Sequence, residues 1–295
     1  MPVVFVLIWS TGFIVARYGM PFSPPMKFLS VRFVLSILCF LPWIVLAKVP
    51  WPQSRMQWLH LAVTGVLMHG CYLGGVWAAV KAGMGSGLTA LIVGLQPVLT
   101  ALWLSSMARE NRLENSQVSA RQWAGLTLGL VGLVMVVSRK FGVGGEAHWQ
   151  SMALAIGALL GITVGTLYQK RFVGPCDVRT ANVVQLGAAL AVTLPLALLE
   201  AAPVQWNPQL MGAMAWSVLA LTLGGSSLLY LLIQRGAAAS VTSLMYLVPP
   251  VTALLAWLLF SEPVTLLTML GTVVTAVGVS LVVRSAPSSR QTGKV

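Results

Sequence analysis

Residues 242–256 read TSLMYLVPPVTALLA, an apolar stretch with Pro249 and Pro250 in its middle. Proline has no backbone N–H, and its ring collides with the carbonyl group one turn earlier, so buried helices usually avoid it. The stretch therefore predicts a helix that is interrupted at a defined point. The interruption lies in an apolar segment, where lost backbone hydrogen bonds are hardest to replace, and its reason has to be sought in the rest of the chain.

The composition predicts a membrane protein. The 295 residues are 57% hydrophobic and 8% charged, whereas a soluble domain has about 25% charged residues. The mean hydropathy is +0.86. The net charge is +12, but the basic residues are scattered singly between apolar segments. We therefore expect contact with membrane lipid and no binding of nucleic acid.

Cysteine and N-terminal patterns predict neither a cofactor nor a leader. Cys39, Cys71 and Cys176 form no CxxC motif and no Cys/His cluster, so no disulfide framework, metal site or cofactor is expected. The N-terminus lacks the positive region and the cleavage site of a signal peptide, and we interpret it as the first membrane helix.

Ten apolar runs approach the length of about 20 residues that a membrane helix needs. They lie near residues 2–20, 25–47, 56–80, 84–107, 120–138, 148–169, 178–200, 209–234, 238–260 and 265–284. The connectors are mostly short and leave no room for a soluble domain. The predicted fold class is thus an all-α membrane protein with ten transmembrane helices.

The distribution of basic residues predicts the orientation. With the N-terminus in the cytoplasm, twelve Lys and Arg residues fall on the cytoplasmic side and five on the outer side. The second half decides the count, because its seven loop and tail cations all lie inside. Both termini are therefore expected in the cytoplasm.

Residues 89–103, TALIVGLQPVLTALW, repeat the opening stretch at an offset of 153, which aligns Thr89 with Thr242 and Pro97 with Pro250. The same offset aligns Gly12 with Gly165, Pro42 with Pro195, Pro50 with Pro203, and Gly83 with Gly236. We interpret residues 1–140 and 148–285 as two copies of a five-helix unit, followed by a cytoplasmic tail at 286–295.

An odd number of helices per unit inverts the second copy in the membrane. Inverted repeats with proline-interrupted helices at corresponding places are typical of secondary transporters, with the site between the repeats. Pro97, Pro249 and Pro250 are then predicted to bend spans four and nine beside a polar path around a central cavity. The alternative is a structural kink without a substrate role, since proline is frequent in membrane helices.

Several motifs resemble one family. LIWSTGFIVAR near the N-terminus, VRF in span two, GLTA and the following proline in span four, and PPVTALLAWLLFSEPVT in span nine resemble the EamA group of the drug/metabolite transporter superfamily. The first copy departs from the pattern, because Glu110 and Glu114 lie in a longer, more polar loop.

The resemblance implies a ten-helix fold with a cavity lined by spans one, three, four, six, eight and nine. Spans five and ten would be peripheral scaffold. It also implies a bacterial inner-membrane location and outward movement of small metabolites. Within the family, the chain resembles the bacterial exporters of aromatic amino acids.

Charged groups limit the cargo. All six acidic residues lie in predicted loops or at helix ends, so no carboxylate is available at mid-membrane to bind a cation or relay a proton. Arg32, about 12 Å into span two, is the one embedded cation. It could pair with a substrate carboxylate, but we favour a structural role by snorkelling or by bonding a backbone carbonyl. A neutral or zwitterionic cargo with a large apolar part is expected.

His69 and Tyr72 are the leading site candidates. With Gly65 and Val76 they share one face of span three, and polar groups at this depth are usually functional. The alternative for His69 is a packed histidine bonded to a neighbouring helix. The full set of predicted substrate contacts is Trp9, His69, Tyr72, Gln96, Trp103, Thr163, Ser226 and Tyr246.

Taken together, the sequence predicts a monomeric secondary transporter. It would export amino acids with aromatic or bulky apolar side chains by alternating access. A broad-specificity metabolite or drug exporter is the alternative. An embedded enzyme is disfavoured, because the chain has no HExxH motif, no embedded acidic pair and no nucleophile elbow.

Overall fold

A computed structural model describes residues 2–100, 102–103, 120–140, 147–228, 247–262 and 265–284. These residues form helices and build no sheet. The helices are α1 Pro2–Gly19, α2 Pro25–Leu46, α3 Arg55–Lys81, α4 Ser86–Thr100, α5 Ala120–Lys140, α6 Trp149–Phe172, α7 Val178–Leu199, α8 Pro208–Trp216 with its continuation Ser217–Ser226, α9 Val248–Phe260 and α10 Leu266–Arg284.

Four of these helices, α2, α3, α6 and α7, are both long and apolar enough to cross a bilayer. Shorter apolar helices lie in α1, α4, α5, α9 and α10. The described part of the chain agrees with an all-α membrane protein. The number of spans stays a prediction.

Acidic residues of the second half cap helices of the first half. Glu200 accepts hydrogen bonds from the backbone N–H groups of Met26 (3.0 Å) and Lys27 (2.9 Å) in the first turn of α2. Glu262 accepts from Ser86 N–H at 3.1 Å and from its hydroxyl at 2.9 Å, at the start of α4. The first N–H groups of a helix have no partner within the helix, and these carboxylates supply one.

The start of α7 is capped locally by Asp177. Its carboxylate accepts from the backbone N–H of Arg179 at 2.9 Å and pairs with the Arg179 guanidinium at 2.8 Å. The side-chain bonds from Arg179 hold the pKa of Asp177 below its usual value.

Each of three helices packs against its counterpart in the other half of the chain: α2 on α7, α4 on α9, and α5 on α10. The α5–α10 contact is backbone to backbone. A Cβ added at Gly132 would collide with the carbonyl of Gly271, and one added at Gly278 would collide with Gly125 and Gly129. Glycine is therefore required for this close approach.

The same contacts fix the direction of these helices. The earlier glycine of α5, Gly125, meets the later glycine of α10, Gly278, while Gly132 meets Gly271, so α5 and α10 run antiparallel. Ser30 near the start of α2 donates to Thr193 near the end of α7 at 3.2 Å, so that pair is antiparallel too.

Both α3 and α8 contain a π-helical segment, Val66–Leu73 in α3 and Ser217–Ser226 in α8. The two segments overlap at the offset of 153. π-Helical turns are rare and occur mostly at functional sites. No local feature of the sequence predicted them.

Candidate functional site

A narrow cavity lies between α1, α4, α6 and α9. Its lining consists of Trp9, Phe13, Ala90, Val93, Gly94, Gln96, Pro97, Ile162 and Val248. The whole cleft, including its open mouth, has about 320 Å³ of empty volume, but the centre of a water molecule can reach only about 20 Å³ of it. That is room for about one water, so a bulky cargo needs these helices to separate.

Two predicted contact residues, Trp9 and Gln96, lie in the cavity wall. Gln96 donates from Nε2 to the hydroxyl of Thr166 on α6 at 3.0 Å, which joins α4 to α6 beside the cavity. The remaining wall is apolar or aromatic, apart from the backbone of the break in α4. The cavity thus combines apolar surface with one amide, an arrangement typical of small-molecule sites.

The break in α4 lies at Gly94 and Leu95, directly before Pro97. Pro97 cannot donate to the carbonyl four residues earlier, and the chain bridges the gap with a bond from Val98 N–H to Leu95 O at 2.9 Å. Pro97 itself lines the cavity. The interruption therefore lies beside the cavity.

The prolines of α9 lie at the start of the described helix. Helix α9 begins at Val248, so Pro249 and Pro250 occupy its first turn, where no N–H is needed. A Cβ added at Gly94 would lie 2.7 Å from Pro249 Cγ. The interruption of α4 thus packs directly against the start of α9, while residues 229–246 lie outside the described part of the chain.

His69 and Tyr72 lie on the π-helical segment of α3. Tyr72 is buried and interacts with Trp9 of the cavity wall. His69 interacts with Gln185 of α7 and lies edge-on to Phe33, with ring centroids 6.1 Å apart. Its side chain is half-buried.

Arg32 is buried, with 5% of its surface exposed. Its Nε and one terminal nitrogen both donate to the hydroxyl of Thr222 on α8 at 3.1 Å. It does not snorkel, and these two bonds go to a side-chain hydroxyl and not to a backbone carbonyl. Its charge lies close enough to act on both His69 and Tyr72.

Sequence reasoning missed Gln185 and Thr222, although one signal could have found them. The offset of 153 aligns Arg32 with Gln185 and His69 with Thr222. The structure joins Arg32 to Thr222 and Gln185 to His69. Two polar contacts at equivalent positions therefore surround one point between the halves.

The other predicted contacts lie elsewhere. Thr163 is buried next to the lining residue Ile162, and its hydroxyl donates to Leu159 O at 2.6 Å within its own helix. Ser226 donates to Leu221 O at 3.5 Å inside the π-helical segment of α8. Trp103 is 48% exposed, and Tyr246 lies outside the described residues. Within the described ranges, no three His, Cys, Asp or Glu side chains lie together as a metal site would require.

Comparisons with known proteins identify the class. The family described as the EamA-like transporter family matches residues 2–138 and again residues 149–284. The chain therefore belongs to the EamA-like transporter family of the drug/metabolite transporter superfamily, as its motifs predict.

Relatives are transporters at low identity. An uncharacterized transporter of Archaeoglobus fulgidus is 24% identical over 283 residues, 93% of each chain. The uncharacterized inner membrane transporter YedA of Escherichia coli is 26% identical, over 84% of this chain and 78% of the relative. A Salmonella typhimurium protein named as a probable amino-acid metabolite efflux pump is 22% identical, over 56% of this chain and 51% of its own.

The fold also matches a solved crystal structure. The TM-score is 0.66 over 95% of both chains, at 15% sequence identity. That structure supports the arrangement of the helices and carries no argument about the cargo.

Proposed function

We propose that the chain is a bacterial inner-membrane secondary transporter that exports amino acids with aromatic or bulky apolar side chains by alternating access. The observation that carries this proposal is the cavity between α1, α4, α6 and α9, whose wall combines Trp9 and Phe13 with the amide of Gln96. Aromatic walls suit a bulky apolar group, and a few polar groups fix its orientation.

The antiparallel packing of equivalent helices supports an inverted repeat and, with it, alternating access. Equivalent helices of the two halves pack antiparallel, as α5 on α10 and α2 on α7 do. Two units of equal topology would instead run their equivalent helices parallel. The two matches of one family to successive halves of the chain support the same arrangement, in which the units rock around a site between them.

The relatives support the location and the cargo class. YedA is named as an inner membrane transporter, and the Salmonella relative is named for amino-acid metabolite efflux. We extend both properties to this chain, with its termini in the cytoplasm as the positive-inside rule predicts.

Efflux from loaded proteoliposomes tests the proposal. Vesicles containing the protein are loaded with each of the twenty labelled amino acids in turn, and we expect the fastest release for phenylalanine, tryptophan, tyrosine and leucine. The substitutions Trp9→Ala, Tyr72→Ala and His69→Leu should each slow that release at least severalfold. Trp123→Ala is the matched control, because Trp123 lies on α5 with 58% of its surface exposed. Wild-type release in all three site variants would contradict the assignment of the site.

A broad-specificity metabolite or drug exporter is the second candidate. The wall of the cavity is mainly apolar. Such a wall favours a broad-specificity exporter, in which the shape of the cargo and not an amino-acid head group determines selection. Competition of unrelated apolar compounds against labelled phenylalanine in the same vesicles separates the two, since the first proposal predicts that compounds without an amino-acid head group compete poorly.

A further inference from the structure

Arg32 is a buried cation without a carboxylate partner in the described part of the chain. The three described acidic residues, Asp177, Glu200 and Glu262, are engaged at helix starts. An isolated charge in a low-dielectric interior is strongly destabilising, so buried charges are normally paired. A hydroxyl such as that of Thr222 can orient a guanidinium but cannot neutralise it.

Further polar groups on the same helix faces have no partner. Ser36 lies one turn after Arg32 on the same face of α2, and its hydroxyl is fully buried without a hydrogen bond in the described structure. Ser217, whose carbonyl accepts from Thr222, also has an unsatisfied buried hydroxyl. Unsatisfied buried polar atoms are few in native proteins and call for an explanation such as a missing ligand.

The position of this group matches a carrier site. Arg32 and Gln185 are equivalent under the repeat offset, as are His69 and Thr222, so the four side chains surround the boundary between the halves. The group also connects to the cavity, because Tyr72 interacts with Trp9 on one side and lies within the field of Arg32 on the other.

We propose that Arg32, oriented by Thr222 and flanked by His69 and Gln185, forms an anion subsite that binds the carboxylate of the cargo. This inference rests on the proposed function and adds to it the residue that selects a carboxylate. Guanidinium binds carboxylate through paired, charge-assisted bonds, while the apolar cavity takes the side chain. The charge of the subsite comes from the first half of the chain, because the second half supplies only the neutral side chains of Gln185 and Thr222.

Matched acids and amides test the subsite. Binding is measured as the ligand-induced shift of thermal unfolding of the full chain in detergent, with L-phenylalanine against L-phenylalaninamide and phenylacetate against phenylacetamide. One charge-assisted hydrogen bond corresponds to a preference for the acid on the order of tenfold or more. We expect that preference in the wild type, its loss in Arg32→Gln, and partial retention in Arg32→Lys.

Arg179→Gln is the matched control, because Arg179 lies at the start of α7 and pairs with Asp177 at the surface. It should keep the full preference for the acid. The wild-type comparison stands even if Arg32→Gln does not fold, since equal binding of acid and amide in both pairs overturns the subsite. Retention of the preference in a folded Arg32→Gln protein overturns it as well.

The two compound pairs separate this proposal from the proposed function. If phenylalanine does not bind but phenylacetate is preferred over its amide and Arg32→Gln removes that preference, the subsite stands and amino acids are the wrong cargo. If phenylalanine leaves proteoliposomes rapidly and its amide does so equally well, export stands and the subsite fails.

Discussion

The α5–α10 pair and the π-helical segments of α3 and α8 are held in opposite ways. Glycines bring α5 and α10 into backbone contact along their length, so these helices have little freedom to slide. The segments Val66–Leu73 and Ser217–Ser226 depart from regular α-helix and carry His69 and Thr222, whose partners are side chains of α7 and α2. From this difference we infer that the α5–α10 pair is a scaffold, while the π-helical segments of α3 and α8 can rearrange around a cargo.

The largest expected effect tests the scaffold. In Gly132→Leu the new side chain collides with the carbonyl of Gly271 and the hydroxyl of Thr275, and we expect a loss of stability on the order of 3 kcal/mol or more. Thermal unfolding in detergent measures it. Gly157→Leu is the control, since a Cβ there meets nothing within 4 Å. Equal melting temperatures for the two variants would contradict the scaffold role of α5 and α10.

A smaller effect is expected where α3 crosses α7. A Cβ at Gly65 collides with the backbone of Gln185, whereas one at Gly70 only approaches Val66 Cγ1 at 3.9 Å. Gly65→Ala should cost about 2 kcal/mol and should reduce efflux, because it displaces Gln185 from His69. Gly70→Ala should leave both nearly unchanged. The comparison uses unfolding and proteoliposome efflux in parallel, and wild-type efflux in Gly65→Ala would argue against a functional crossing.

The cap of α4 gives the third prediction. Glu262→Gln replaces an acceptor oxygen by an amide NH₂ group that faces the N–H groups of Ser86 and Gly87. We expect a loss of about 1–2 kcal/mol, as for a hydrogen bond to a charged group. The control Lys27→Gln removes an exposed bond from Nζ to Ala202 O and should change stability by less than about 0.5 kcal/mol. An equal loss of stability in both variants would show that the buried cap contributes no more to stability than the exposed bond of Lys27.

The smallest effect concerns pH. Because Arg179 lowers the pKa of Asp177 in the folded protein, the stabilisation is complete above the unfolded-state pKa and is lost as pH falls through the lower folded-state pKa. Asp177→Asn keeps an N-cap acceptor and removes the charge. Its side chain is 28% exposed, so the difference from wild type should stay below about 1 kcal/mol at pH 7. The difference should vanish at strongly acidic pH, and one that persisted there would exclude a charge effect.

Local sequence pattern was enough to single out some residues that line the cavity. Pro97 interrupts α4 whatever the helix packs against, because proline has no backbone N–H. Trp9 is a large aromatic group and Gln96 a polar group in the middle of a helix, so their place in the cavity wall could be inferred. The orientation of Thr163 was harder to predict, because successive residues of a helix point about 100° apart. The neighbouring residue Ile162 lines the cavity. Pro249 and Pro250 lie in the first turn of α9, and residues 229–246, on which the predicted bend of span nine depends, lie outside the described part of the chain.

Long-range pairing could not be predicted from single residues. Gln185 and Thr222 have ordinary neighbours in sequence, and their importance comes from the helices that cross them. The π-helical segments are likewise set by packing, since Gly161 and Gly165 of α6 lie against α3 there. The repeat offset links these residues in pairs and was the one feature of the sequence that contained this information.

Membrane topology tests the central claim, inversion of the two halves, most directly. After the native cysteines are replaced, single cysteines are placed at Lys48 and at its offset equivalent Ala201, and labelled with a membrane-impermeant maleimide in right-side-out and inside-out vesicles. An inverted repeat predicts that the Lys48 position reacts only from the cytoplasmic side and the Ala201 position only from the outside. Labelling of both positions from the same side would contradict it.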